Sequence, residues 1–148
     1  MTDEYEIFEK KCRAIQKANK KLLEGFREWM KAKGLGEATV KKHAQNTDFY
    51  INHCLLYDDP PKSAAEGVSG LDYFLGYWFI RKAMWASESS IRENTTSLKK
   101  FYTYMKETGQ VGDDDLAELR EEIREGLPEW LETVRRYDDP SIDIEDVW

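Results

Sequence analysis

An all-α helical bundle with an acidic helical C-terminal extension is the fold class that this chain predicts. Apolar residues recur at helical period through almost every segment, and no run alternates convincingly as a strand does. Breakers fall between those segments: Gly34-Leu35-Gly36, Asp58-Asp59-Pro60-Pro61 and Gly109. At 41% hydrophobic and 34% charged, the composition is globular rather than disordered. The 148 residues are enough to build a real core.

The first helical region runs from about Glu4 to Lys33, with Ile7, Phe8, Ile15, Leu22, Leu23, Phe26, Trp29 and Met30 as its apolar positions. The polar stretch Gln16–Lys21 marks a candidate break, so Leu22–Lys33 is the part expected in the core. Gly34-Leu35-Gly36 ends it, because glycine adopts the left-handed C-cap without steric cost. A second helix, from Glu37 or Ala38 to Leu56, places Val40, Ala44, Thr47, Ile51 and Leu55 on one face. A third, Gly70 to Ala86, is apolar almost all round (Leu71, Phe74, Leu75, Trp78, Ile80, Met84, Trp85) and belongs at the centre of a bundle. A fourth, Glu88 to Thr108, turns Ile91, Leu98, Phe101, Tyr102 and Met105 inward. Ser87 is a candidate N-cap, and Ser90 with Glu93 fits a capping box one step later.

The chain changes character after Gly109. Asp113-Asp114-Asp115 suits the positive end of a helix dipole. A helix of Leu116, Leu119, Ile123 and Leu127 follows, and Pro128 is expected to open a separate short helix through Trp130, Leu131 and Val134. Tyr-Asp-Asp-Pro occurs at 57–60 and again at 137–140, each time as a helix stop. Three parts result: a helical lead-in over 1–21, a bundle over 22–111 and an acidic extension over 112–148.

Charge is segregated along these parts. The net charge is −7, but residues 10–107 carry +7, the first nine residues −4 and residues 108–148 −10. A pI near 5 would argue against a polyanion partner. The local field of the basic body reopens that partner, since a phosphate backbone meets local charge. The most apolar run, Tyr73–Trp85, is too short to cross a bilayer and contains Arg81 and Lys82, so no membrane role is expected. The acidic N-terminus does not read as a secretory signal, and Cys12 and Cys54 are too few for a disulfide framework. Reduced thiols and a cytoplasmic location are therefore expected.

Candidate catalysis is poor. His43 and His53 are ten residues apart on one helix, about 15 Å along its axis, and cannot share a metal. No phosphate loop, nucleophile elbow or paired-carboxylate motif occurs, so neither an enzyme nor a cofactor is expected. The aromatic positions Phe74, Tyr77, Trp78, Trp85, Phe101, Tyr102 and Tyr104 could stack bases, but at this spacing they read as core. Two helix starts are more informative. Thr39, Lys41, Lys42 and Gln45 form one cluster; Ser89, Ser90, Arg92, Asn94, Thr95 and Lys99 form the other. Each mixes cations for phosphates with amides or hydroxyls for base edges, Asn94 and Gln45 being the best placed for bases. A solvated helix face is the competing reading of both.

Residues Leu22 to Val111 also resemble a known domain. Ser87-Glu88-Ser89-Ser90-Ile91, Thr95-Thr96-Ser97-Leu98 and Phe101-Tyr102-Thr103-Tyr104-Met105 match one helix of it in order and spacing. Phe26, Trp29 and Met30, followed by Gly34-Leu35-Gly36 and Glu37-Ala38-Thr39-Val40, match its first helix, turn and second helix start. That domain is the N-terminal core-binding (SAM-like) domain of tyrosine recombinases, the phage-integrase family. The resemblance implies a four-helix SAM-like bundle whose second and fourth helices contact double-stranded DNA, through residues corresponding to the two clusters. Gly36 stands where the family commonly has serine, Gly112-Asp113-Asp114 replaces its usual linker, and no catalytic domain is expected to follow. The implied function is a non-catalytic DNA-binding protein acting in, or competing with, DNA integration or recombination, with a recombinase or a second copy as further partners. The alternative is a protein-interaction module on the same bundle, its acidic apolar tail docking a partner or second copy.

Overall fold

The structure, a computed structural model, describes residues 3–148, so the first two residues of the lead-in lie outside it. It is all-helical, with five main helices and no strand among the described residues. Helix α1 spans Glu4–Ala32, capped at its start by Asp3, whose carboxylate accepts the Tyr5 N–H. No break occurs at Gln16–Lys21. Leucine-poor but free of glycine and proline, that stretch has nothing to stop a helix. Its one inward residue, Asn19, is buried and donates to Ile51 O at 3.1 Å and Asn52 Oδ1 at 2.7 Å. The lead-in thus docks through an amide rather than an apolar stripe.

Gly34, at φ 90°, turns the chain into α2, residues 37–54. The last turn of α2, Tyr50–Cys54, is wound wider than an α-helix, with Leu55 N–H bonding Tyr50 O at 3.0 Å. The extra residue rotates the helix face, so that both Tyr50 and Ile51 point into the core. Helix α3 spans residues 71–82 and widens likewise over Phe74–Trp78. The two wide turns meet, with the Tyr50 and Phe74 rings 4.6 Å apart. Between them, Tyr50 Oη donates to Gly67 O and Tyr102 Oη to Ala64 O, pinning the connecting segment over the core.

Helix α3 stops at Lys82, four residues earlier than its apolar pattern suggests. Met84 is left wholly exposed and Trp85 60% exposed, so the third helix is less completely buried than expected. Helix α4 spans Glu88–Glu107 and opens at the N-cap candidate Ser87, in a reciprocal box with Ser90 that lies three residues ahead of the Ser90–Glu93 pairing the sequence suggested. Helix α5 spans Asp113–Asp138 in one piece. Pro128 does not start a new helix. Its ring is exposed, so the carbonyl it leaves unbonded lies on the solvent side of a helix held by packing on its other face. A short turn at Ile144–Asp146 leads to Trp148.

Helix α4 lies at the centre, packed by α2 on one side and α5 on the other, with α1 against α2 and α3 against α5. Phe74, Leu98 and Phe101 are fully buried and Trp78 nearly so. Of the remaining aromatic stripe, Tyr102 and Tyr104 are core, whereas Tyr77 and Trp85 reach solvent. The extension contributes Leu116, Leu119, Ile123, Trp130, Leu131 and Val134 to the same core. Its inner side is therefore structural.

Candidate nucleic-acid interface

The α2–α4 seam is polar. His43 Nδ1 and Ser97 Oγ, both buried, are 2.7 Å apart. Asn46 donates to Ser97 Oγ at 3.0 Å and to Glu93 Oε2 at 3.2 Å, and Lys42 Nζ lies 3.0 Å from Glu93 Oε1. Burial, the Lys100 charge and, less strongly, Lys42 hold the His43 imidazole below its ordinary pKa, against an opposing pull from Glu93. Burial pushes the Glu93 carboxyl up, but hydrogen bonds from Lys42 and Asn46 outweigh it and leave it below the usual carboxylate range. This network fixes the register of α2 against α4, and therefore the spacing of the cations each helix presents.

The two clusters are neighbours, because Lys42 of one bonds Glu93 beside the other. On α2, Thr39, Lys41, Lys42 and Gln45 are all exposed. Lys41 faces a concavity shared with Arg27 and Lys31 of α1, whereas Lys42 faces α4. On α4, Arg92 and Lys99 are exposed, seven residues apart on one strip with Thr96 between them. Neither Arg92, Lys99 nor Lys41 has an ion pair among the described residues.

Three sequence assignments do not survive. Asn94 is only 2% exposed and donates to Ser90 O at 2.8 Å, so it cannot reach a base edge. Thr95 is buried and donates to Arg92 O at 2.6 Å. The Ser90 hydroxyl is taken up in the α4 cap, accepting Ser87 N–H at 2.8 Å. All three lie on the inner flank of a helix whose outer strip is Arg92, Thr96 and Lys99. A helical wheel anchored on Ile91, Leu98 and Phe101 separates them; their polarity alone did not. The residues missed are Lys100, whose charge reaches His43 at the seam, and Arg27 and Lys31 beside Lys41.

The acidic extension does not lie over these cations. Its contacts run to α3 and α4: Glu122 accepts the Leu71 and Asp72 N–H groups at the start of α3, and Trp130 Nε1 donates to Asp72 at 2.9 Å. Its ion pairs to the body join Asp113 to Lys106 and Arg135 to Glu88. Among the described residues, no group of three His, Cys, Asp or Glu side chains is placed to hold a metal, and no helix is long and apolar enough to cross a membrane. The chain matches no family model, no curated protein and no solved structure.

Proposed function

We propose that this protein is a non-catalytic binder of double-stranded DNA, of the kind that acts in or competes with integration and recombination. The observation that carries the reading is the shared, uncovered face of α2 and α4. There Lys41, Lys42, Arg92 and Lys99 are exposed while the acidic extension packs on α3 and the opposite flank of α4. Cations on two helices held in register suit phosphate contacts; Gln45 and Thr39, exposed on α2, are the groups left to read base edges. The link to integration rests on the resemblance of Leu22–Val111 to the core-binding domain. Titration of the full chain against unrelated duplexes at low salt tests it. Removing Lys41 or Arg92 weakens binding alike on every sequence and flattens the salt slope by about one unit each. Absence of duplex binding at low salt refutes the reading.

A protein-interaction module is favoured by one separate feature. Trp85, exposed beyond the end of α3 beside the exposed Met84, lines a concavity with Phe49, Tyr57 and Trp78, with Lys82 Nζ 4.9 Å from the Tyr57 ring. The C-terminal tail is less suited to docking elsewhere, because Val147 is buried and Trp148 Nε1 donates to Gly76 O at 2.7 Å. Sedimentation at rising concentration separates the two readings: self-association lost in Trp85→Ala, without duplex binding, selects the interaction module.

A further inference from the structure

Of the net charge of +7 on residues 10–107, residues 10–32 of α1 carry +6, with eight bases against Glu24 and Glu28. Residues 10–21 hold six bases, Lys10, Lys11, Arg13, Lys17, Lys20 and Lys21, and no acid. All six are exposed. At 100° per residue, five of them (Lys10, Arg13, Lys17, Lys20 and Lys21) fall on one stripe, which Arg27 and Lys31 continue. The opposite side of the helix carries Cys12, Asn19, Leu23, Phe26 and Met30, which pack on the body. From Lys10 to Lys31 the stripe is about 31 Å long, the length of about nine base pairs at 3.4 Å each. Two acids interrupt it: Glu24, exposed, and Glu28, 3.5 Å from Lys31. Arg13 is 4.0 Å from Glu9, whereas Lys10, Lys17, Lys20 and Lys21 have no ion pair among the described residues.

We propose that the outer face of α1 is a rail for the phosphate backbone of duplex nucleic acid, continuous with the α2 cations through the concavity that Arg27 and Lys31 share with Lys41. The proposal deepens the DNA-binding reading and rests on it. Three features select the ligand. The helix is anchored by Asn19 and its apolar side, so the cations are presented without ordering a flexible arm. The stripe holds no aromatic side chain on which an unpaired base could stack, which disfavours a single strand. From Leu23 onward the apolar side is spent on the core, and the outer end carries Glu4, Glu6 and Glu9, which disfavours an anionic lipid surface.

The test is the full chain and the triple variant Lys17→Gln, Lys20→Gln, Lys21→Gln, titrated with labelled random-sequence duplex over a series of salt concentrations. Because the three side chains are exposed, the variant keeps its helical circular dichroism and thermal midpoint. Its affinity at low salt falls by at least about tenfold on every duplex, and its salt slope is shallower by about 2.7, three phosphates at 0.9 each. A Lys41→Gln, Lys42→Gln variant is run beside it. If the parent binds duplex and the triple variant binds with the parent's slope, the rail is wrong and the α2–α4 face stands. If the triple variant alone loses slope, the rail stands and the α2–α4 face falls. Equal affinity for a single strand of the same length overturns the duplex assignment. Binding to phosphatidylserine-containing vesicles but not to duplex overturns the proposal, as does a parent that binds no duplex at all.

Discussion

His43 sits in an environment that opposes its charge. It is buried against Ser97, with Lys42 and Lys100 close enough to disfavour a second positive charge. The unfolded chain therefore takes up a proton more readily than the folded one. Stability is lost as pH falls below about 6.5, and the loss levels off below the lowered folded-state value. Urea midpoints measured across that window fall in the parent protein and flatten in His43→Gln; a parent midpoint that stays constant refutes the assignment. Gly126 is constrained for a different reason. A Cβ there would overlap the Trp130 indole, and one on Gly76 would come within 2.9 Å of the same indole. Gly126→Ala therefore costs about 1–3 kcal/mol by overpacking, read as a lowered denaturant midpoint with an unchanged slope.

Helix α5 shows what charge conceals at the level of an element. Its composition suggests a separable acidic appendage, yet one side supplies six core residues and Glu122 caps the start of α3. A chain ending at Val111 is expected to lose cooperative unfolding, because it exposes that core and orphans the Leu71 and Asp72 N–H groups. Trp130→Ala in the full chain is expected to cost about 3–5 kcal/mol, measured by chemical denaturation. The helices themselves were legible: breakers at Gly34, Pro60 and Gly109 and the periodic apolar positions of α2 and α4 place them closely. Four things were not. Asn19 docks a polar stretch of α1 through hydrogen bonds that no hydrophobic pattern records. Met84 and Trp85 fall beyond a helix end that no breaker marks. Pro128 is accommodated within α5 because packing on its inner side holds the helix across it. Asn94 and Thr95 share their residue types with surface positions, and only their phase relative to Ile91 and Leu98 puts them inside.

Across the whole molecule, opposite charges are separated in space as well as in sequence. The cations of α1 and α2 meet at the concavity where Arg27 and Lys31 stand beside Lys41, and Lys42 links α2 to α4 through Glu93, while α5 packs on α3 and α4. This placement bears on whether the extension suppresses DNA binding. A carboxylate competes with phosphate only when held against the cation that would bind it, and the acids of the extension pair with Lys106 and with its own arginines, not with Lys41, Lys42, Arg92 or Lys99. What remains is a long-range repulsion of the polyanion, screened beyond about 8 Å at physiological ionic strength. Neutralising Asp113, Asp114 and Asp115 to asparagine in the full chain separates the two effects while keeping the apolar contacts of α5 intact. Repulsion alone predicts a gain in duplex affinity at low salt that disappears at physiological salt and appears in the association rate. Direct competition predicts a gain of about tenfold or more, equivalent to about 1.4 kcal/mol, that persists at physiological salt and slows dissociation. The docking of α5 on α3 and α4 predicts the first result, and the second would mean that these acids reach the basic face.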